Sequence, residues 1–263
     1  MARATERLSI AVAVALDPAA PLQSVLRSAL SLAGPSATLI GLFVEDTEAA
    51  EFERSALARE VTVLGESRPL AGGHLRRQFA VRSRAVRLSF ERGAAGLGLR
   101  HSFEVLRGPG IESLHRRLEQ LDALVISRAH RRAGVRSWYG LPVHRLAGST
   151  ARMLLFVQEE WASGRRVALL PGQGERAGEL ERLARRIAAA EGLEAFVLAR
   201  PEEGETASGL RARPLAAATT AAVAAALRAE DARVLVVPRE HALAAPAAFG
   251  ELLRRTDTSI LLA

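Results

Sequence analysis

The chain has 263 residues, 49% hydrophobic and 25% charged, which suits one large or two small globular domains and excludes a disordered chain. Cysteine is absent, which excludes a disulfide scaffold, a thiolate zinc site, a redox CxxC pair and a cysteine nucleophile. The net charge of +7 comes from 36 basic residues, every one an arginine, a skew that points to a GC-rich coding background rather than to selection for phosphate contacts, so nucleic acid is not the expected partner.

The first nine residues carry Arg3, Glu6 and Arg7 and show no signal-peptide pattern. No apolar run approaches the ~20 residues that cross a bilayer. The expectation is a cytoplasmic protein with no membrane span.

Short apolar runs then alternate with helix-period stretches, the sequence form of stacked βα units on a parallel sheet. Residues 9–16 are almost continuously apolar, as a strand buried on both faces requires. A helix is predicted over 21–33, with Leu22, Val25, Leu26, Ala29 and Leu30 on one side and Gly34-Pro35 closing it. Strands follow at 38–44 and 102–106, a helix at 111–121, a strand at 123–127, a short helix at 140–148 and a strand at 153–157. After Gly164 the pattern repeats: strand 166–170, helix 175–191, strand 194–198, helix 215–229, strand 233–237, helix 247–255 and strand 259–262. The segment Asp122–Ile126 matches Asp231–Val237 in place and character, and 153–157 matches 259–263. Two diverged copies of one five-stranded unit are therefore predicted, 1–160 and 161–263, joined near 158–164. The apolar last strands of each copy offer matching edges for pairing within the chain.

The first copy differs by a long insert, 45–99, between its second and third strands. It begins acidic and turns basic: 68–136 holds 15 arginines against five acids. Within it Leu75, Phe79, Val86 and Phe90 share one helical face. Because the insert leaves the sheet at Val44, it is expected to cover or flank the strand carboxyl ends.

The run Ile10–Asp17, Gly41–Asp46, Gly108 before a helix, 122–127 and 153–157 together resemble the universal stress protein domain, and the chain looks like a tandem pair. That resemblance implies two doubly wound five-stranded parallel sheets in tandem, of Rossmann-like α/β type, and a role in the stress response. It also implies nucleotide binding in those members that carry Gly-x2-Gly-x9-Gly-Ser/Thr after the fourth strand. Glycines there let backbone amides approach phosphate, and the next helix offers its positive end. The spacing survives here at Ser127, His130, Gly140 and Leu141, but two of three glycines and the hydroxyl are gone. By the same resemblance Asp17 stands at the adenine and ribose, and Val44 beside the base; Asp17-Pro18 equally suits a turn and helix cap.

The second copy ends its first strand in Pro171-Gly172 and its fourth in Pro238-Arg239-Glu240-His241, so no nucleotide is expected there. Gly172-x-Gly174 is a bare fragment of a dinucleotide fingerprint, and Glu175 beside it repels phosphate. Trp138-Tyr139 suit base stacking, plugging the groove or packing against the other copy. The six histidines lack metal-ligand spacing, and no nucleophile elbow occurs.

Three functions remain: a non-catalytic binding or regulatory protein with its nucleotide site degraded and no cofactor; an ATP or AMP binder using the first copy through Asp17, Val44, Ser127, His130, Gly140 and Leu141; or a binder of polyanions or acidic partners through 68–136. Pairing between the copies is expected within the chain, and a homodimer is allowed.

Overall fold

The computed structural model describes residues 11–15, 22–46, 59–61, 65–69, 74–108, 110–127, 146, 151–158, 161, 163–200 and 209–263. The first half contains β1 (Ala11–Ala15), α1 (Leu22–Ala33), β2 (Thr38–Asp46), β3 (Arg59–Val61), β4 (Ser67–Pro69), α2 (His74–Gly96), β5 (Arg100–Gly108), α3 (Gly110–Leu118), β6 (Ala123–Ser127) and β7 (Met153–Val157). The second contains β8 (Arg166–Leu169), α4 (Gly174–Glu191), β9 (Glu194–Ala199), β10 (Arg211–Pro214), α5 (Thr220–Ala229), β11 (Ala232–Val237), a single 3-10 turn (Ala242–Ala244), α6 (Pro246–Arg255) and β12 (Ser259–Leu262).

Ten strands form one sheet in the order β10-β9-β8-β11-β12-β7-β6-β1-β2-β5. Leaving aside the separate β3–β4 ribbon, both halves run third-second-first-fourth-fifth from the outer edge inward. Pairing within each half is parallel. The two five-stranded parallel runs expected from sequence are thus present, and their apolar last strands meet edge to edge within one sheet. There β12 pairs antiparallel with β7, setting Ile260, Leu261 and Leu262 opposite Phe156, Leu155 and Leu154. All six are buried. An unpaired apolar edge exposes both backbone donors and aliphatic surface, so joining the two edges satisfies both.

Alternate strand residues face opposite layers of helices. Ile40, Leu42 and Val44 of β2 pack in the core that holds α3, α5 and α6, whereas Leu39 and Phe43 pack with α1, α2 and α4. Burial on both faces is why these strands read as unbroken apolar runs.

Three local expectations change. The strand β10 reads Arg-Ala-Arg-Pro and carries no apolar signal, yet it pairs with β9 along the sheet edge; pairing, not propensity, makes it a strand. Helix α5 starts at Thr220 rather than 215, because Thr219 caps it by accepting from Ala222 N at 3.3 Å. Leu215 instead donates its N–H to Ala199 O at 2.9 Å, in the turn after β10. Finally, α2 is not a cover over the strand ends. Phe79, Val86, Phe90 and Ala94 are buried along one side of it, against β2, β5 and α1 on the sheet face. Segment 74–96 is therefore the crossover between β2 and β5, while 47–58, 62–64 and 70–73 lie outside the described residues. The expected helix at 140–148 lies outside them too, apart from the buried Leu146.

The chain joining the halves is fastened to both. Gln158 N donates to Ser259 Oγ at 3.1 Å and Trp161 N to Ser24 Oγ at 3.3 Å. Glu191, at the end of α4, accepts from Trp161 Nε1 at 3.0 Å and pairs with Arg233 at 2.8 Å. It also accepts from Ser31 Oγ of α1, and Arg186 donates to Leu32 O at 2.9 Å. Gly164 has φ +92°, and a Cβ there would stand 2.6 Å from Arg233 N, so the turn into β8 admits no side chain.

Candidate functional site

In this strand order the chain leaves β8 toward β9 on one side, while β11 lies on the other, and the diverging connections open a gap at the strand carboxyl ends. In the second half that gap is a crevice of about 840 Å3. Its floor is the end of β8 and the chain running from Leu170 to Gly174. Arg200 follows β9, Glu240 and His241 follow β11, and Glu181 projects from α4; all four line the crevice.

Each wall has a local cause. A Cβ on Gly172 would lie 2.8 Å from Leu180 Cδ1 and 3.2 Å from Ala177 Cα. The bare backbone at Gly172 thus lets the loop lie on the first turns of α4, while Gly174 supplies φ +58° where the helix begins. The Gly-x-Gly here is accounted for by packing and turning. Gln173 is the N-cap residue but makes no side-chain cap bond. The His241 ring accepts from Leu243 N at Nδ1, 3.1 Å away, which places the neutral ring's proton on Nε2.

The charge around the crevice is balanced toward the acidic side: Glu181 and Glu240 face one lining guanidinium, Arg200. Arg176 lies 3.6 Å from Glu240. Arg239, the cation nearest the end of β11, is occupied elsewhere. It donates through Nη2 to Ala151 O and through Nε to Arg152 O at 3.4 Å, clasping the start of β7. Burial, and then the neighbouring Arg176, lower its pKa from the ordinary value, though a guanidinium stays charged. A polyphosphate entering here would meet two lining carboxylates and one lining arginine, Arg200, with Arg176 held against Glu240. These wall residues carried no motif; the signal that finds them is position, immediately after the ends of parallel strands.

In the first half the structure brings two of the six sequence candidates to the corresponding place. Ala15 of β1 is in register with Leu42 on one side and Ile126 on the other. Val44 and Ser127 therefore follow on the strands flanking the end of β1, and both are buried. Asp17, His130, Gly140 and Leu141 lie outside the described residues, as do Arg128, Arg131, Arg132, Arg136, Trp138 and Tyr139. Because β7 and β12 are antiparallel, the two switch points open toward opposite ends of the sheet. Among the described residues no group of side chains is arranged to hold a metal ion. None of the described helices is long and apolar enough to cross a membrane.

No protein-family model matches the chain, and no curated protein matches it. Solved structures do. A universal stress protein from Archaeoglobus fulgidus DSM 4304 superposes with a TM-score of 0.66 at 12% identity, covering 98% of this chain and 97% of that one. A functionally unknown protein from Pseudomonas aeruginosa PAO1 gives 0.59 at 12% identity, over 97% and 92% of the two chains. A putative universal stress protein from Pseudomonas aeruginosa UCBPP-PA14 gives 0.57 at 13% identity, over 97% and 93%. Along both its halves, then, this chain has the α/β fold found in universal stress protein structures.

Proposed function

We propose that the chain is a tandem universal-stress-protein-like protein of the stress response that works by binding, without a chemical step, and that its polyphosphate recognition is degraded in both halves. The crevice after β8 carries this reading. It has the place and size to hold a small molecule, yet Glu181 and Glu240 outnumber Arg200 on its walls, and Gly172 is filled against Ala177 and Leu180. In the first half the resemblance puts side chains at Ser127 and His130 where bare backbone serves phosphate. Losing two charge-assisted contacts there costs about 3–6 kcal/mol, or ~2–4 powers of ten in affinity. Calorimetry with ATP and Mg2+ should therefore show no binding tighter than about millimolar. Micromolar binding by the unaltered protein, abolished by Asp17→Ala, would overturn this.

A second reading keeps ATP or AMP binding in the first half alone. What favours it is the placement of Val44 and Ser127 on the two strands beside β1. The two readings part on AMP: stabilisation by AMP that Asp17→Ala removes supports the second, since the base and ribose contacts need no phosphate nest.

A further inference from the structure

We propose that α2 carries a docking face for an acidic amphipathic helix of a partner protein. The helix has two working faces. One buries Phe79, Val86, Phe90 and Ala94 in the protein core. On the opposite side Arg77, Val81, Arg84, Leu88 and Arg92 fall on one line, spaced four, three, four and four residues apart. Val81 is 70% exposed and Leu88 49%, and with Val105 they are the large hydrophobic side chains exposed among the described residues.

Charge selects the occupant. Helix α2 holds six arginines and one acid, Glu91. Arg87 is engaged by Glu91 at 3.0 Å and lies over the Phe103 ring, and Arg92 Nε donates to Leu88 O within the helix. Arg77, Arg82 and Arg84 have no acidic partner among the described residues. Some arginines elsewhere are closed by acids: Arg117 reaches both oxygens of Glu104 at 2.8 Å, which raises its pKa. Two aliphatic side chains one heptad apart and flanked by arginines fit an amphipathic partner helix that sets leucine or isoleucine on Val81 and Leu88 and carboxylates on the arginines. A second copy offering this same face would set arginine against arginine. A nucleic acid would reward the arginines but leave Val81 and Leu88 unused. A bilayer surface calls for a broad apolar face, not two side chains within a basic one. The line from Arg77 to Arg92 is about four turns, or ~22 Å, enough to seat a partner helix of about 15–20 residues.

The test uses the full chain and a synthetic 20-residue peptide with leucines at 3.5-residue period and glutamates between, beside a shuffled peptide of the same composition and a DNA duplex. The patterned peptide should bind at least tenfold tighter than the shuffled one. Val81→Ser with Leu88→Ser should weaken it about tenfold, and Arg77→Glu with Arg84→Glu by at least as much. Arg82→Glu, off the line, should cost less than Arg84→Glu. All five residues are exposed, so the fold should survive, as unchanged circular dichroism and unfolding midpoint would confirm. Equal binding of the shuffled peptide or the duplex, indifferent to the Val81 and Leu88 changes, would reduce the face to a non-specific polyanion surface and overturn the proposal. Failure of the patterned peptide to bind at all would overturn it too.

Discussion

Helices α2 and α4 pack on the same side of the sheet, each by one apolar stripe, and both are rich in arginine. They differ in what their polar residues meet. Along α4, Arg186 bonds Leu32 O, Arg176 approaches Glu240, and Glu191 gathers Ser31, Trp161 and Arg233 at the border of the halves. Along α2, Arg77, Arg82 and Arg84 are exposed and meet no described acid. The same residue type therefore fastens the protein together in one place and faces outward in another. The surroundings decide, since an exposed ion pair contributes about 0–1 kcal/mol while a desolvated, multiply bonded one costs several to break.

The contrast can be broken most sharply at the border that α4 helps to close. Phe156 is fully buried, pairs with Ile260 across the border and meets the Phe249 ring edge-on at 5.1 Å. Phe156→Ala should destabilise by about 3–5 kcal/mol, read from the urea midpoint; a loss below about 1 kcal/mol would mean that this border contributes little to stability. Glu191→Ala comes next. Its carboxylate and the Arg233 guanidinium are only 19% and 13% exposed, so removing it strands the guanidinium and the Trp161 N–H. A loss of about 2–3 kcal/mol is expected, and limited proteolysis should then cut at 158–164, where the unaltered chain should resist. Resistance unchanged in the variant would remove Glu191 from its place as a tie.

Smaller again is Gly164→Ala, at about 1–3 kcal/mol, from left-handed strain and a Cβ too near the Arg233 backbone. An Arg233→Ala background should not relieve it, because the clash is with main chain; relief would show that side-chain packing was the cause. At the bottom of the scale, Val81→Ser and Leu88→Ser on α2 should each shift stability by no more than about 0.5 kcal/mol. A loss beyond about 1 kcal/mol would show that the outward face is structural after all.

Much of this was legible in the chain. The strand β6 is an aliphatic run following an aspartate, its counterpart β11 is one apart from Arg233, and β7 and β12 are short apolar runs in the last place of each half. Such runs announce burial on both faces wherever they occur. Phe79, Val86 and Phe90 announced one face of α2 by spacing alone, and their burial follows. The edge strand β10 was not legible, because Arg211, Ala212, Arg213 and Pro214 carry no pattern and become a strand only beside β9. The wall of the crevice was legible only in part, at Pro171, Gly172, Glu240 and His241 after the strand runs. Glu181, Arg200, Glu240 and His241 are scattered over sixty positions, and only the strand order gathers them.

Sequence by itself determined the apolar strands of both units, which sides of α1 and α2 turn inward, and that two units of like order follow one another, because hydrophobic period is a local property of the chain. Tertiary structure alone decided the antiparallel register in which β12 meets β7, that Arg239 clasps Ala151 and Arg152 instead of lining the crevice, and that Val81 and Leu88 remain outside. Those outcomes depend on what a residue meets across more than a hundred positions of sequence at the border, and no local pattern encodes the partner.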